Sequence, residues 1–212
     1  ASDVYKRQSR CCAACVGVSM SIELLLASAS PRRRELLAQI GVPCTQRPSE
    51  VDERVLPGES PEAYVERVTR DKALAAVAAC PGRVVLAADT AVVHGGQILG
   101  KPRDRAHALD MLGRLSADAH WVMTAVAVAR DERIALQRVD TRVCFRRLSA
   151  QELADYWDTG EPADKAGAYG IQGLGAVFVE RIEGSYSAVV GLPLRETASL
   201  LEGFGISCWQ RP

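Results

Sequence analysis

The sequence predicts an α/β protein built on a mixed sheet with helices on its faces. Short apolar runs alternate with amphipathic helical patterns from Ile22 onward, as expected for strands separated by helices. Two longer runs, WVMTAVAVAR and RIALQRVDTRVCFRRL, are separated only by Asp131-Glu132, which indicates an antiparallel hairpin. The predicted order β-α-α-β-β-α-β-β-α-β-α therefore favours a mixed sheet over an all-parallel one.

The elements of the first half are delimited by capping residues and helix breakers. LLLA is an apolar strand, and the next helix has Ser30 as its N-cap and Pro31 at its first position. After a loop rich in proline, glycine and acids, a long helix starts at Ser60-Pro61 and runs to about Ala79. VVLAADTAVVHGGQILG then predicts a buried strand, a second extended segment and a hairpin. We expect Asp89 to lie at the end of the first of these strands.

The second half continues the alternation. A helix capped by Asp104 extends to about Leu115, and the two long strands follow it. Ser149 and Glu152 are spaced as a capping box for another helix. The loop DKAGAYGIQGLG, a strand AVFVERI, a turn and a last helix opened by GLPL complete the chain. Since no repeat or linker interrupts this pattern, we predict a single domain over residues 20–212.

Composition and charge exclude several classes of protein. The 212 residues carry no net charge, so a general nucleic-acid or membrane surface is not expected. No apolar run approaches the roughly 20 residues of a membrane span. Scattered cysteines at four positions suit a reducing compartment better than a disulfide framework, and we expect a cytoplasmic protein. These cysteines are Cys44, Cys80, Cys144 and Cys208.

The first 19 residues stand apart from this pattern. They lack the apolar core of a signal peptide, and we predict that they are a non-native or disordered extension preceding a natural start at Met20. They contain one CxxC, Cys12 to Cys15, which without a second pair or nearby histidines is a weak zinc or redox signal.

Three consecutive arginines at the start of the first helix need a partner. Each cation at a helix N-terminus is disfavoured by roughly 0.3–1 kcal/mol, and a bound anion would reverse that penalty. Ser28, Ser30, Arg32 and Arg33 together therefore predict a phosphate site, although a solvated basic helix start is the alternative. Arg34 points about 200° away from Arg32 and is expected to be a bystander.

Carboxylates in two segments could bind a metal or accept a proton. Asp89 follows an apolar strand and could be a desolvated general base or metal ligand, or an acid that only accepts hydrogen bonds in a turn. Glu50, Asp52 and Glu53 could hold a hard cation such as Mg²⁺, but a solvated loop is equally consistent with them.

Two further segments carry candidate ligand contacts. Lys101 lies between a glycine and a proline, on a fixed backbone suited to holding its own positive charge in one place. Lys72, considered by itself, is expected to face solvent. In AGAYGIQGLG, four glycines allow a tight loop and close backbone approach to a ligand, and the amide of Gln172 could recognise a base edge. The histidines show no metal-binding pattern, and we expect them to be structural or exposed.

Five segments together resemble the Maf family of nucleoside triphosphate pyrophosphatases, and the resemblance extends from about Ser21 to Phe204. The segments are SASPRRRELL, SEVDER, AADTAVV, LGKPRD and DKAGAYGIQG. The resemblance implies a fold similar to the inosine triphosphate pyrophosphatases, with a cleft between two lobes. It also implies hydrolysis of a nucleoside triphosphate to the monophosphate and pyrophosphate with a divalent cation, Mg²⁺ or Mn²⁺.

The family motifs fall on specific positions of this chain. By resemblance, the residues that contact the substrate are Ser28, Arg32, Arg33, Lys72, Thr90, Lys101 and Gln172. Glu53 and Asp89 hold the metal, and Asp89 is the catalytic acid–base residue.

Three positions sort the family by substrate. Arg32, Thr90 and Gln172 match the dTTP/UTP branch, whereas the 7-methyl-GTP branch has tryptophan, glutamine and glutamate there. Modified pyrimidine triphosphates, 7-methyl-GTP, or a nucleotide-binding role in regulating cell division remain alternatives. The expected partner is a nucleoside triphosphate. We expect binding to neither nucleic acid nor a membrane, and a homodimer is left open.

Overall fold

The computed structural model describes residues 23–209, which contain seven strands, six α-helices and three short 3₁₀ helices. The strands are β1 (Leu24–Leu26), β2 (Cys44–Gln46), β3 (Val84–His94), β4 (Gln97–Leu99), β5 (Ala119–Arg130), β6 (Arg133–Phe145) and β7 (Val179–Glu183). The α-helices are α1 (Pro31–Gln39), α2 (Pro61–Ala79), α3 (Arg105–Leu115), α4 (Ala150–Asp158), α5 (Tyr186–Val190) and α6 (Leu194–Gly203). The 3₁₀ helices span Glu161–Asp164, Ala166–Ala168 and Leu174–Phe178. The predictions for residues 1–19 lie outside the described residues.

All strands join one mixed sheet in the order β2-β1-β3-β5-β6-β7, with β4 paired to β3. β1 runs parallel to both β2 and β3, and the other pairs are antiparallel. The predicted α/β class with helices flanking a mixed sheet is therefore confirmed.

The helices cover the two faces of this sheet unequally. One face packs against α2 alone and is lined by small residues, among them Ala87, Ala91, Ala125 and Ala127. The opposite face carries the larger core, to which the other five helices contribute. Small side chains on strands let a helix approach the sheet closely, so α2 lies tightly against β3 and β5.

Most of the predicted helix boundaries are confirmed. The side chains of Ser60, Asp104 and Ser149 each accept an N-terminal backbone N–H, and Ser149 forms the predicted capping box with Glu152. The hairpin at Asp131-Glu132 also forms as expected, with Asp131 at a positive φ of 52°.

Two expectations about secondary structure were wrong, and two short elements were missed. β3 is a single strand that continues through Asp89, so this residue lies in mid-strand and not at a strand end. The strand predicted as AVFVERI starts at Val179, because Leu174–Phe178 is a 3₁₀ helix. Short β2 and α5 were not predicted, since three to five residues are too few to show a periodicity.

Among the described residues, every helix is too short or too polar to cross a membrane.

Candidate active site

The site is organised by an interruption along one edge of β3. β1 pairs with β3 only as far as Leu86, and β4 pairs with it only from Val92. The other edge of β3 is fully paired with β5 from Val85 to Val93. Within the described residues, no strand pairs with the first edge between Leu86 and Val92, a stretch of about 20 Å. Asp89 lies at the centre of this gap, next to the point where β1 ends and leads into α1.

A lysine is held between two carboxylates at this gap. Lys72 Nζ on α2 lies 2.7 Å from Asp89 Oδ1 and 2.8 Å from Glu53 Oε1. The side chains of Lys72 and Asp89 are only 10% and 11% exposed, whereas that of Glu53 is 55% exposed. The expectation that Lys72 faces solvent was therefore wrong: α2 turns it toward the sheet.

The Lys72–Asp89 pair interrupts an otherwise apolar interface between α2 and the sheet. On either side of Asp89, Ala87 and Ala91 belong to two separate apolar clusters on the same face. A buried ion pair of this kind rarely adds stability over apolar packing, so its presence points to a functional role. The two carboxylates also affect a neighbour: burial, together with the charges of Asp89 and Glu53, raises the pKa of Tyr64 to about 12.

Arg67, one and a half turns before Lys72 on α2, holds the loop that carries Glu53. Its two terminal nitrogens donate to the backbone carbonyls of Asp52 (3.4 Å) and Arg54 (2.9 Å), the residues on either side of Glu53. Its remaining bonds go to both oxygens of Glu59 and to Asp71. All five N–H donors of the guanidinium are thereby used, and the hydrogen bond with Glu59 is the main cause that raises the pKa of Arg67.

Arg33 is anchored on the β1 side of the gap. It donates from Nε to Gly191 O (2.9 Å), from Nη1 to Ser28 Oγ (3.0 Å) and from Nη2 to Thr90 Oγ1 (3.3 Å). Three of its five N–H donors are used in this way, and two remain. Burial lowers the pKa of Arg33, and the carboxylate of Asp89 opposes that effect.

The direction of the hydrogen bonds through Thr90 follows from its neighbours. Thr124 Oγ1 donates to the carbonyl of Ala188 (2.8 Å), so it must accept from Thr90 Oγ1 at 3.0 Å. Thr90 in turn accepts from Arg33, which has only donors. Thr90 therefore orients the guanidinium of Arg33 through a fixed chain that ends at Ala188.

The N-terminus of α1 presents free donors. Ser30 occupies the N-cap position as predicted, but its side chain makes no capping bond, unlike Ser60, Asp104 and Ser149. The first-turn N–H groups thus lack the usual side-chain acceptor. Arg32 is partly buried and Arg34 is exposed, and neither has a hydrogen-bond partner within residues 23–209.

The glycine-rich loop lies on the β4 side of the gap. Gly167 N donates to Gly100 O (3.1 Å), which places the loop next to Lys101. The side chains of Lys101 and Gln172 are exposed and have no partner within the described chain. On its other side the loop lies near α1. The hydrogen bond from Lys165 lowers the pKa of Asp164, and the charges of Lys165 and Arg32 lower it further. Since Arg32 belongs to α1, the loop lies within electrostatic range of that helix.

The glycines of this loop accommodate the protein itself. An added Cβ at Gly167 would meet Val92 at 2.9 Å, and one at Gly175 would meet the Tyr156 hydroxyl at 2.6 Å. A Cβ at Gly173 would overlap the carboxylate of Glu161. The predicted tight loop is therefore present, and three of its glycines are required by contacts within the protein. Close approach of a ligand to this backbone stays a prediction.

The sequence pattern of the Maf-like protein family matches residues 23–204, which include every side chain described at the gap. The chain belongs to this family.

Curated relatives of this Maf-like protein match over most of their length. A dTTP/UTP pyrophosphatase from Anaeromyxobacter dehalogenans strain 2CP-1 is 55% identical over 91% of this chain and 100% of the relative. Proteins of the same name from Hahella chejuensis and Yersinia pestis are 53% and 56% identical, over 88% and 85% of this chain and 94% and 92% of the relatives.

The acidic groups of this Maf-like protein fit a divalent cation only in part. Among residues 23–209 there is no cluster of three or more His, Cys, Asp or Glu side chains that could hold a metal by itself. Glu53 and Asp89 nevertheless converge on one cationic atom, Lys72 Nζ. Two carboxylates completed by substrate phosphates and water are the usual donor set for Mg²⁺, so these residues fit a metal that arrives with a nucleotide.

Four residues at this site were missed by sequence reasoning. Arg67, Thr124 and Glu161 act through other residues, and a side chain that organises a loop has no motif of its own. Lys165 was overlooked although it stands in DKAGAYGIQG. Its Nζ contacts Asp164 at 2.5 Å and Glu161 O at 3.5 Å, and its Cε would be 3.3 Å from a Cβ at Gly170.

Proposed function

We propose that this protein hydrolyses dTTP and UTP to the nucleoside monophosphate and pyrophosphate. The observation that carries the proposal is the buried Lys72–Asp89 pair at the gap in β3, opposite Arg33 with its two unused donors. The dTTP/UTP pyrophosphatases that are 53–56% identical to it over the aligned residues support the choice of substrate.

The triphosphate is proposed to bind between the start of α1 and the end of β4. Within residues 23–209, Arg33 keeps two unused N–H donors, and Arg32 and Lys101 make no hydrogen bond or salt bridge. The uncapped N–H groups of α1 and these three cationic side chains offer charge-assisted hydrogen bonds to phosphate oxygens. Each such bond contributes roughly 1.5–3 kcal/mol, which outweighs the penalty for cations at a helix N-terminus. The positive end of the α1 dipole, which disfavours the arginines by themselves, then faces the negative charge of the substrate.

Asp89 is proposed to act as the general base. Its Oδ1 is held by Lys72, whereas Oδ2 has no hydrogen-bond partner within the described residues and is available to a water molecule. Oδ2 would accept the proton of that water as its oxygen attacks the α-phosphorus and pyrophosphate leaves. A positioned general base contributes typically about 10²- to 10⁴-fold to a rate.

Glu53 and Asp89 are proposed to hold a divalent cation, Mg²⁺ or Mn²⁺. When bound, the cation would neutralise phosphate charge that the arginines leave uncompensated. Arg67 keeps the backbone on both sides of Glu53 in place, and Lys72 keeps the two carboxylates together before the nucleotide arrives.

Gln172 is proposed to recognise the base. A uracil or thymine edge offers one N–H donor between carbonyl acceptors, and one amide can match both types of group. A 7-methylguanine carries positive charge and would favour a carboxylate at this position, so Gln172 disfavours that alternative. Modified pyrimidines present the same edge and remain candidates.

We also propose a cytoplasmic location, based on the substrate class and the free thiols at Cys44, Cys80, Cys144 and Cys208. A homodimer stays a prediction, to be tested by size-exclusion chromatography with light scattering. A pure regulator of cell division would bind nucleotide without needing a buried base, and the Lys72–Asp89 pair therefore favours catalysis.

The test is a panel of nucleoside triphosphates, including 5-methyl-UTP and 7-methyl-GTP, scored for pyrophosphate release with Mg²⁺ or Mn²⁺. We expect the highest kcat/KM with dTTP and UTP. Asp89→Asn should lower kcat by about 10²-fold or more while dTTP binding stays measurable. Asp110→Asn, which changes an exposed acid on α3, is the matched control. Binding of dTTP without turnover by the wild-type protein would favour the regulator.

A further inference from the structure

Glu161, outside the proposed contacts with substrate, holds both ends of the loop that carries Gln172. Its Oε2 accepts the N–H of Leu174 (2.8 Å), and its Oε1 accepts the N–H of Gly175 (3.1 Å). Oε1 also accepts the hydroxyl of Tyr156 (2.7 Å), whose oxygen accepts the N–H of Gly170 (3.1 Å). One carboxylate and one phenol therefore bind the backbone on both sides of Gln172.

The loop is shaped around this carboxylate. A side chain at Gly173 would overlap Glu161, and a Cβ at Gly175 would lie 2.6 Å from the Tyr156 hydroxyl and 3.0 Å from Gly170 O. The glycines thus permit the backbone to close around Glu161, and the exposed amide of Gln172 stands at the tip of the closed loop.

Glu161 and Tyr156 are themselves fixed. Tyr156 is buried on α4 and packs edge-on against Phe178, with ring centres 4.8 Å apart. Thr159 Oγ1 donates to Tyr156 O (2.7 Å) and accepts from Glu161 N (3.2 Å), which ties the two residues together. The support of the loop is therefore built from contacts within the protein.

The charge state suits this role. Burial tends to raise the pKa of Glu161, but hydrogen bonds from Gly175, Leu174 and Tyr156 outweigh it and leave the pKa below its ordinary value. At neutral pH the group is a carboxylate that can accept bonds at both oxygens, which an amide cannot do.

We propose that Glu161, acting with Tyr156, is a positioning residue for base selectivity, because it holds Gln172 in the orientation that recognises a pyrimidine. It touches the loop and not the nucleotide. The proposal rests on the proposed function, and it assigns the selectivity of the site to a carboxylate that acts through the backbone.

The test compares Glu161→Gln with wild type on the nucleotide panel and on inorganic triphosphate, which lacks a base. Losing one of the two backbone bonds should raise KM for dTTP and UTP about 10-fold and reduce the preference for them over dCTP and GTP. The inhibition constant of inorganic triphosphate should change by less than twofold. An equal rise in both constants would overturn the proposal, because the residue would then support the whole site. Glu180→Gln on β7, an exposed acid that makes no hydrogen bond or salt bridge within residues 23–209, is the control.

A double-mutant cycle shows whether Glu161 acts through Gln172. In a Gln172→Ala background, Glu161→Gln should change the pyrimidine preference by less than twofold, since the group being positioned is gone. Full additivity of the two effects would overturn the proposal. If Glu161→Gln folds poorly, Tyr156→Phe replaces it in the test. This substitution removes only the phenolic hydroxyl and keeps the hydrogen bonds of Glu161 to Leu174 and Gly175.

Amide exchange gives a readout that does not depend on turnover. The N–H groups of Leu174 and Gly175 should exchange at least 10-fold faster in Glu161→Gln, with α2 and β3 unchanged. Unchanged exchange in the loop would contradict the proposed support. Turnover of dTTP and UTP by the wild-type protein tests the proposed function separately. A failure of the proposed role of Glu161 can therefore be distinguished from a failure of the proposed function.

Discussion

Arg32, Arg33 and Arg34 are neighbours in sequence but differ in what surrounds them. Arg33 is tied to Ser28, Thr90 and Gly191 and keeps two free donors in a fixed orientation. Arg34 is exposed and has no hydrogen-bond partner within residues 23–209. A guanidinium held in place loses less side-chain entropy on binding a phosphate than a free one does.

We therefore expect Arg33→Ala to lower kcat/KM for dTTP by about 10- to 150-fold, the equivalent of one charge-assisted hydrogen bond. Arg34→Ala, the matched neighbour, should change it by less than about twofold. Steady-state kinetics with dTTP checks both variants. Equal losses at the two positions would mean that the cluster acts through its net charge and not through an oriented fork.

The helix α2 carries two residues with different tasks. Lys72 contacts the acids of the gap, and Arg67 holds the loop from which Glu53 projects. Because both residues lie on the same rigid element, the distance between Glu53 and Asp89 is set by α2 and not by the loop alone. An irregular acidic loop thereby acquires a defined position.

Arg67→Lys should test this arrangement, since lysine keeps the charge but cannot reach five acceptors. We expect the amides of residues 52–56 to exchange about 10-fold faster and the Mg²⁺ concentration for half-maximal activity to rise about 10-fold. Arg70→Lys, an exposed position on the same helix, is the control. Unchanged amide exchange together with an unchanged Mg²⁺ requirement would show that Arg67 does not position the loop that carries Glu53.

At the scale of the whole molecule, the sheet provides both stability and an opening. β3 is paired along one edge with β5, whereas β1 and β4 leave the centre of its other edge free. A strand anchored in this way can carry a buried acid such as Asp89 without relying on a loop.

The same buried sheet makes global stability depend on pH through His120. This residue is 1% exposed, packs edge-on against Phe145 and Tyr169, and contacts the Tyr169 hydroxyl through Nε2 at 2.8 Å. Burial lowers its pKa from 6.5 to about 4. Between these values the unfolded chain binds more protons than the folded one, so stability falls as the pH drops.

We expect His120 to make the folded protein about 2 kcal/mol less stable at pH 5 than at pH 7. Urea unfolding of wild type and His120→Leu at the two pH values measures this contribution as the difference between their pH dependences. The variant should show a constant offset from the lost Tyr169 bond and a correspondingly smaller pH dependence. Identical pH dependences would mean that His120 is not neutral and buried in the folded state.

Local patterns determined the parts of this protein that depend on short stretches of chain. The caps at Ser60, Asp104 and Ser149, the hairpin at Asp131 and the α/β class follow from spacing and turn chemistry, and the motifs predicted the family and the substrate class. These features depend on residues a few positions apart, so the sequence alone contains them.

Tertiary structure decided whatever depends on distant residues meeting. Lys72 was expected in solvent because one turn of helix cannot reveal which face the sheet will cover, and Asp89 was placed at a strand end because its later pairing with β5 was not visible. The glycines around Gln172 predicted a tight loop, but Glu161 and Tyr156, around which the loop closes, lie up to 19 residues before them and could not be identified from the sequence. Burial and pairing are properties of the folded packing, and for that reason the geometry of this site, unlike its chemistry, had to come from the structure.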